Sequence, residues 1–370
     1  MALRQALAFA TARPGASRDG AVRQANAAHA RAMPMPRMLD YGMSYADAAA
    51  LHAMAEDEVP WVAAAEWLGA CNAERARAAA TSPSRSRALL AASACYRFAQ
   101  SAIDGDSAER KRLYRMMMDS FAAGVALLPA PPEKLALETG AGPLCGWLFE
   151  PVIGTGAMVV VFGGADGWRE AYYLLVADLL AEGLAVCLLD MPGQGESRLF
   201  HGVCLRRGFE TAMDRAIRTL KQRYARVGLW GNSLGGTLAA SVAIESDAVD
   251  AVCSNSGSAR PAELGEKFPR VLDRIAAMAG ATDRETGAAT LAMLDLTGRL
   301  DRMTCPVLVL HGAQDALFSA QSVQPLHDLA GSDDRTMITW ADGEHCMYSR
   351  AVERNALVAA WFGTRLGQGG

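Results

Sequence analysis

The chain has 370 residues, of which 51% are hydrophobic and 21% charged, and 36 Lys and Arg against 40 Asp and Glu give a formal net charge of −4. A nucleic-acid-binding surface normally shows as an excess of basic residues, so this balance argues against nucleic acid as a partner. The apolar content suits a globular protein with a large core, and no run approaches the ~18 consecutive apolar residues of a membrane-spanning helix.

The eight cysteines show no spacing that indicates a disulfide framework or a zinc site. No CxxC pair occurs, and no His-rich cluster lies beside them. They are scattered through apolar segments, at Cys71, Cys95, Cys145, Cys187, Cys204, Cys253, Cys305 and Cys346. This usage is typical of reduced, mostly buried thiols, so we predict a cytoplasmic protein without a bound metal.

Residues 1–32 are rich in Ala and Arg and contain no acidic residue before Asp19. A secretory signal needs an apolar stretch of about 7–15 residues, and the apolar stretch at residues 6–10 is shorter than that. We therefore predict that residues 1–32 form a flexible N-terminal arm and not an export signal.

Residues 33–130 have a helical pattern without the short β-branched runs of strands. Apolar residues recur at helical spacing in three stripes, which are Trp61, Ala64, Ala65, Leu68 and Cys71; Leu89, Ala92, Tyr96, Ala99 and Ile103; and Leu113, Met117, Phe121, Val125 and Leu128. The stripes predict antiparallel helices that each bury one face. A Pro-rich stretch at 129–132 cannot continue a helix, so we place a domain boundary at about residue 130.

Between residues 131 and 370 the pattern changes to short apolar runs separated by segments of helical length. After a strand pair around a glycine turn, six runs suit strands that are buried on both faces, at 158–162, 185–189, 227–230, 251–254, 307–310 and 336–340. Helical crossovers between most of these runs predict an α/β fold with a mostly parallel sheet of about eight strands. The longer segment 258–300 is interpreted as a helical insertion at the carboxyl edge of the sheet, where such folds bind ligands.

The strongest local signal for chemistry is the stretch 230–236, Trp-Gly-Asn-Ser-Leu-Gly-Gly, which follows a predicted strand and begins an Ala-rich helix. A nucleophile elbow needs this pattern, because a sharp turn lifts the serine hydroxyl above the sheet and small neighbours let strand and helix approach closely. The helix N-terminus then stabilises negative charge near the serine. We therefore predict that Ser233 is a catalytic nucleophile.

A serine hydroxyl needs a general base and a group that orients this base, and in such a fold the acid and then the histidine follow the serine in the chain. His345 lies in a polar loop after the last predicted strand, whereas His311 is expected to pack at a strand end and His327 to lie on a helix surface. Asp315 also follows a strand, and it is favoured over Asp342, which is expected to form an Asp-Gly turn. We predict Asp315 as the acid and His345 as the base.

The tetrahedral intermediate formed by such a serine needs two backbone N–H donors. One is predicted to be Leu234, directly after the nucleophile, and the other comes from the loop after the strand at 158–162. Glycines in that loop let the backbone approach closely, so we predict the N–H of Ala165, with Gly164 as the second choice. Asp166 in the same loop is a candidate substrate-binding residue or a turn residue.

No motif indicates a cofactor. The chain lacks a GxxxxGK[ST] loop, a GxGxxG that opens a βαβ unit and an HExxH helix, so ATP, dinucleotide and zinc-peptidase chemistry have no support. The segment 190–197 bends through Pro and Gly after a strand, and a scaffold role is favoured over a catalytic one. We predict neither cofactor nor metal.

Several of these motifs together resemble the α/β-hydrolases of the FrsA-like esterase group. They are 163–166, 190–196, 231–236, 305–312 with Asp315, and 342–345, and the stretches 37–42 and 96–100 resemble that group's helical N-terminal domain. The resemblance covers nearly all of the chain from about residue 33. It implies a helical cap domain at 33–130 and an α/β-hydrolase catalytic domain at 131–370.

The resemblance further implies a serine-triad hydrolase that cleaves an ester or a ketone-adjacent C–C bond of a bulky acyl or aromatic small molecule, polyketide-like molecules included. Some members carry an acidic residue in the cap near the substrate, so Glu263, or else Glu266, is a candidate substrate-binding residue. Some members form homodimers. We expect a small-molecule substrate, and neither nucleic acid nor a membrane, as the partner. A thioesterase or acyltransferase on the same triad, and a non-catalytic ligand-binding protein of this fold, stay open as alternatives.

Overall fold

A computed structural model of the chain describes residues 12–17, 19–165 and 167–367. By its internal contacts the chain divides into two compact units, the first ending at Pro131 and the second beginning at Pro132. The division falls within the Pro-rich stretch that the sequence analysis identified as a boundary. We refer to the first as the helical unit and to the second as the sheet unit.

The helical unit contains six α-helices among its described residues. They are α1 (Gly20–Ala32), α2 (Met35–Asp40), α3 (Tyr45–Glu56), α4 (Trp61–Ala78), α5 (Ser82–Gln100) and α6 (Ala108–Val125). Four begin at a polar side chain that accepts a hydrogen bond from a first-turn N–H group, and these residues are Asp19, Ser44, Thr81 and Ser107. Each such bond satisfies a donor that has no partner within its helix.

The three long helices α4, α5 and α6 form the core of the helical unit, with α5 packed against both others. Buried hydroxyls connect α5 to α6, because Ser86 donates to the carbonyl of Gly124 at 2.8 Å and Ser93 donates to that of Met117 at 2.9 Å. The indole N–H of Trp61 donates to the carbonyl of Phe98 at 3.1 Å and so connects α4 to α5. These aromatic and polar side chains pack helices, as the helical stripes predict.

The prediction of a flexible arm at 1–32 is wrong for residues 20–32, which form helix α1. Asn26 on this helix is buried, and its amide donates to the carbonyls of Ala55 and Val59, both at 2.9 Å. Its carbonyl oxygen accepts the N–H of Trp61 at 3.1 Å. A buried amide that binds distant backbone holds this helix, and a search for apolar stripes does not detect such an anchor. Residues 1–11 lie outside the described residues.

The sheet unit is built on one eight-stranded sheet, which confirms the predicted mostly parallel sheet of about eight strands. The strands are β1 (Glu133–Glu138), β2 (Pro143–Phe149), β3 (Ala157–Phe162), β4 (Ala185–Asp190), β5 (Arg226–Asn232), β6 (Ala251–Asn255), β7 (Val307–Gly312) and β8 (Arg335–Trp340). Their order in the sheet is β1-β2-β4-β3-β5-β6-β7-β8. β2 pairs antiparallel with β1 and β4, and the strands from β4 to β8 pair in parallel.

Helices accompany the strands of the sheet unit. The α-helices are α7 (Val176–Ala181), α8 (Gly195–Leu199), α9 (Phe209–Leu220), α10 (Leu234–Glu245), α11 (Ala262–Lys267), α12 (Val271–Met278), α13 (Arg284–Met293), α14 (Ala320–Val323), α15 (Pro325–Asp328) and α16 (Ala351–Leu366). Short 3₁₀ helices cover Arg169–Leu175, Leu300–Arg302 and His345–Arg350. Helices α11, α12 and α13 lie between β6 and β7, in the segment that the sequence analysis interprets as an insertion.

The parallel strands bring several loops to one edge of the sheet. β3, β5, β7 and β8 point the same way, so the loops at their carboxyl ends meet at that edge. Strands β3, β4, β6 and β7 are buried along their whole length, and β5 is buried from Val227 onward, which makes this edge a rigid base for side chains. Among the described residues, none of the helices is both long enough and apolar enough to cross a bilayer.

Candidate active site

Ser233 occupies a strained turn between β5 and α10. Its φ of 59° and ψ of −133° are unusual for a residue with a side chain, and such a conformation costs about 1–3 kcal/mol. The backbone N–H of Ser233 donates to the carbonyl of Asn255, at the end of β6, at 2.8 Å. The surrounding sheet therefore holds the serine in a conformation that the free chain would avoid.

Glycines allow the close approach of strand and helix around this turn. A Cβ atom on Gly231 would overlap the carbonyl oxygen of Gly235, and a Cβ on Gly235 would lie 2.5 Å from the carbonyl oxygen of Gly163. Backbone atoms cannot yield to such contacts as a flexible side chain can. The glycines on both sides of Ser233 thus have a packing reason, as the elbow pattern predicts.

Three side chains from separate loops form one hydrogen-bonded series. The Oγ of Ser233 lies 2.8 Å from Nε2 of His345, and Nδ1 of His345 lies 2.8 Å from Oδ2 of Asp315. These residues follow β5, β8 and β7, respectively. The structure thus brings together the three residues that the sequence predicts as nucleophile, base and acid.

The two titratable groups of this series interact strongly. Burial would raise the pKa of Asp315, but its contacts with His345 and with the N–H groups of Leu317 and Phe318 outweigh burial and lower this pKa. Burial opposes protonation of His345, whereas its neighbour Cys346 and the Asp315 carboxylate favour it and raise the pKa of His345. Asp315 therefore remains ionised and stabilises a proton on the imidazole.

The alternative acid and bases lie elsewhere. His311 is buried within β7, where burial lowers its pKa. The imidazole of His327 is 2.8 Å from the carboxylate of its neighbour Asp328, and Asp342 pairs with Arg350 on the surface. The structure brings none of these side chains into hydrogen-bond contact with Ser233.

The backbone after His345 is strained and firmly held. Cys346 and Met347 have φ values of 60° and 51°, in the left-handed region. The N–H of Cys346 donates to Oγ of Ser256 at 2.9 Å, and the guanidinium of Arg354 donates to the carbonyl of Cys346 at 2.7 Å. Sequence reasoning missed Ser256 and Arg354, because neither belongs to a motif and Ser256 lies far from His345 in the chain.

The predicted oxyanion loop lies beside the nucleophile. A Cβ on Gly164 would lie 2.7 Å from the backbone nitrogen of Leu234 and 2.9 Å from Cβ of Ser233. In the described part of the chain, the structure records no acceptor for the N–H groups of Gly164, Ala165 and Leu234. Asp166, the candidate substrate contact, lies outside the described residues.

A buried ionic cluster follows this loop. Arg169 is fully buried, and it contacts the carboxylates of Glu170 at 2.8 Å, Asp190 at 3.2 Å and Glu196. Burial raises the pKa of Asp190 to about 6 against the opposing charge of Arg169. Burial also acts on Glu196, but Arg169 and Lys134 outweigh it and lower the pKa of Glu196. The cluster connects the loop after β3 to the segment after β4, in agreement with the scaffold role expected for 190–197.

The structure gives Glu263 several partners within the chain. Its carboxylate accepts hydrogen bonds from the N–H of Ser319 at 3.3 Å and the hydroxyl of Ser322, and it pairs with Lys267 at 3.1 Å. A carboxylate used in this way joins α11 to the loop that follows Asp315. The assignment of Glu263 as a substrate-binding residue stays a prediction. Glu266 is exposed.

One group of side chains has the composition of a metal site. The ligand atoms of Cys145, Glu196 and His201 lie within 4.8 Å of one another. However, Glu196 already pairs with Arg169 and, at 2.9 Å, with Lys134, and burial raises the pKa of the Cys145 thiol to about 11. Two neighbouring cations and a protonated thiol disfavour a bound cation here.

Comparisons with known proteins agree with this architecture. A model of the α/β-hydrolase family matches residues 154–361, more than half of the chain. The 2,6-dihydropseudooxynicotine hydrolase of Paenarthrobacter nicotinovorans is 23% identical over 340 residues, covering 88% of this chain and 89% of that protein. These matches confirm the resemblance found in the sequence.

Solved structures show the same fold at low identity. The structure of 2,6-dihydroxy-pseudo-oxynicotine hydrolase has a TM-score of 0.79 at 22% identity, over 90% of this chain and 95% of that one. AbyA5 has a TM-score of 0.67 at 20% identity, over 82% and 87%. An esterase from Pyrococcus furiosus has a TM-score of 0.52 at 14% identity, over 64% and 92%. The first two likenesses extend beyond the sheet unit into the helical unit.

Proposed function

This chain belongs to the α/β-hydrolase family, and from that premise we propose that it is a serine hydrolase in which Ser233 attacks the carbonyl carbon of a small molecule. The observation that carries the proposal is the series of 2.8 Å contacts from Ser233 through His345 to Asp315. A hydroxyl within hydrogen-bond distance of a carboxylate-oriented imidazole is the arrangement that activates serine.

In the proposed mechanism, Nε2 of His345 takes the proton of Ser233 as Oγ bonds to the carbonyl carbon. The carbonyl oxygen becomes an oxyanion, which the N–H of Leu234 and the N–H of Ala165 or Gly164 stabilise. Asp315 stabilises the imidazolium and keeps Nε2 directed at Oγ. His345 then gives its proton to the leaving group, and an acyl-enzyme forms on Ser233.

In the second half of the reaction, His345 takes a proton from water, and the resulting hydroxide oxygen attacks the acyl carbon. The bond to Oγ of Ser233 breaks, and the proton returns from His345 to the serine. The acid product leaves, and the enzyme regains its starting state. Apart from the attacking water, the mechanism uses only this chain's own residues.

We propose that the bond broken is an ester or a C–C bond next to a ketone, in a bulky acyl or aromatic molecule such as a polyketide-like one. Cleavage of a C–C bond next to a ketone is supported by the similarity to the Paenarthrobacter nicotinovorans protein, whose name describes a hydrolase of a pseudooxynicotine. The Pyrococcus furiosus esterase supports the ester. For C–C cleavage the leaving group is an enolate, which needs the proton held by His345. Esters have better leaving groups and suit the first assays.

The test is turnover of aryl esters, thioesters and β-diketones by the wild type and by Ser233→Ala, with product analysis in the presence of an added alcohol. Ser82→Ala, an exposed serine in the helical unit, is the matched control. The proposal predicts carboxylic acid products and loss of turnover in Ser233→Ala alone. Alkyl ester products would indicate an acyltransferase, and equal turnover in Ser233→Ala would overturn the proposal.

We also propose, on the resemblance and the cysteine usage, a cytoplasmic protein that forms a homodimer. All eight cysteines are free, and six of them are buried. Light scattering after size exclusion distinguishes a dimer from the 39.2 kDa monomer. A single peak at the monomer mass at all protein concentrations across the micromolar range would refute the proposed dimer.

A further inference from the structure

Gln194 connects the segment after β4 to the oxyanion loop, residues 163–165. Its side chain is almost fully buried. The amide Nε2 donates to the carbonyl of Gly163 and, at 3.0 Å, to the carbonyl of Gly164. The reverse orientation of the amide would place its oxygen against two carbonyl oxygens, so donation is the only favourable arrangement. One side chain thus binds two successive carbonyls of this loop.

Binding these carbonyls determines where the loop's N–H groups point. In a trans peptide the C=O and the N–H point in opposite directions. The carbonyl of Gly163 shares its peptide plane with the N–H of Gly164, and the carbonyl of Gly164 shares its plane with the N–H of Ala165. When Gln194 draws both carbonyls to its side, both N–H groups turn away from it. These two groups are the candidate oxyanion donors from this loop.

Two other hydrogen bonds next to this loop are long. The N–H of Gly167 donates to the carbonyl of Gly164 at 3.3 Å, and the amide of Asn232 donates to the carbonyl of Phe162 at 3.4 Å. Glycine at 163 and 164 does not itself restrict the backbone torsions. Gln194 itself stands on a rigid turn. Its N–H donates to Met191 at 2.9 Å, and its carbonyl accepts from Arg198 at 2.9 Å.

We infer that Gln194 is a positioning residue for the oxyanion hole. It holds the loop 163–165 so that the N–H groups of Gly164 and Ala165 are directed away from its amide, on the side of the loop where Ser233 receives the carbonyl of the substrate. This inference rests on the proposed function. Because Gln194 acts through the loop, its loss weakens stabilisation of the tetrahedral intermediate and leaves the triad intact.

Two variants remove the amide donor in different ways. Gln194→Met keeps a side chain of similar length without a donor, and Gln194→Glu keeps the shape but, when ionised, presents only acceptors to the two carbonyls. Gln222→Met makes the same change at an exposed glutamine and serves as the control. Far-ultraviolet circular dichroism and the thermal midpoint establish that each variant is folded.

The measurements are kcat and KM on an aryl ester, the pH midpoint of kcat/KM, and the inhibition constant of an aryl trifluoromethyl ketone, which forms a tetrahedral oxyanion on serine. For Gln194→Met we expect kcat to fall about 10–100-fold and the ketone to bind weaker by a similar factor, given that loss of a whole oxyanion donor costs ~10²–10³-fold. KM and the pH midpoint should stay near their wild-type values, since His345 is untouched.

The outcomes separate this inference from the proposed function. If the wild type forms the ketone adduct on Ser233 but both Gln194 variants match it in kcat and ketone affinity, the inference is overturned while the proposed function stands. A raised KM and a lowered kcat, together with a lowered thermal midpoint in both variants, would indicate a merely structural role for Gln194. That result would also overturn the inference. If the wild type forms no adduct, the proposed function and the inference fail together.

Discussion

Both units contain buried contacts between distant segments, such as those of Asn26 in the helical unit, but a strained serine and a fully buried arginine distinguish the sheet unit. In the helical unit, side chains such as Ser107 satisfy helix ends locally, and ion pairs such as Arg112 with Glu66 lie on the surface. In the sheet unit, a strained serine and a fully buried arginine, Ser233 and Arg169, depend on contacts with distant segments. The difference teaches that the candidate catalytic residues lie where contacts between distant segments hold strained backbone and buried charges in place.

Backbone strain makes the contrast measurable. Of the five described non-glycine residues with positive φ, Glu58 belongs to the helical unit, and Ser233, Ser256, Cys346 and Met347 belong to the sheet unit. All four of the latter lie at or next to the hydrogen-bonded series. Such conformations persist only where surrounding structure holds them.

The largest effect is expected for Asp315→Asn, which should lower kcat/KM by about 10⁴-fold, because a neutral amide neither stabilises the imidazolium nor keeps His345 in the required tautomer. The wild-type kcat/KM should rise with pH through the pKa of His345, with a midpoint above the ordinary 6.5. Since the carboxylate raises that pKa, the midpoint should move down in the variant. A pH series of ester hydrolysis measures both changes, and an unmoved midpoint would refute the assigned role of Asp315.

Arg169→Met should come next, with a loss of about 3–5 kcal/mol in the free energy of unfolding of the sheet unit, because three carboxylates lose their shared buried cation. The matched change Arg112→Met breaks an exposed pair in the helical unit and should cost about 0–1 kcal/mol. Urea denaturation followed by circular dichroism measures both variants. Equal costs would break the contrast between buried and surface charges.

The smallest effect is expected for Ser107→Ala, which removes the N-cap of α6. Its loss should reduce the free energy of unfolding by about 1 kcal/mol, because the N–H of Arg110 loses its acceptor. We expect kcat to stay at the wild-type value. A change in kcat without a change in stability would contradict a purely structural role for Ser107.

The sequence predicted much of the site because its signals are local. Ser233 sits within a short elbow pattern, and Asp315 and His345 each follow a predictable strand in the required chain order. The prediction of a flexible arm at 1–32 is wrong for residues 20–32, because the buried amide of Asn26 anchors the helix that they form. Glu263 lies in the region that the resemblance indicates, and its partners are serines and a lysine that only the folded chain brings to it.

Other residues could not be predicted from sequence for the same physical reason. Gln194 and Arg169 contact segments far away in the chain, and so does Ser256. Their side chains follow no spacing rule, since what they bind is decided by the packing of strands β3, β4 and β6. The bent segment 190–197 indicates a scaffold role in the sequence. The structure shows that this segment contacts the loop after β3, through Gln194 and through the partners of Arg169.

The most direct test of the central claim is reaction with a fluorophosphonate, followed by intact mass measurement and peptide mapping. The account predicts one adduct per chain, on Ser233, no adduct in Ser233→Ala and much slower labelling in His345→Ala. A native, folded protein that stays unlabelled, or an adduct on any other residue, would contradict it.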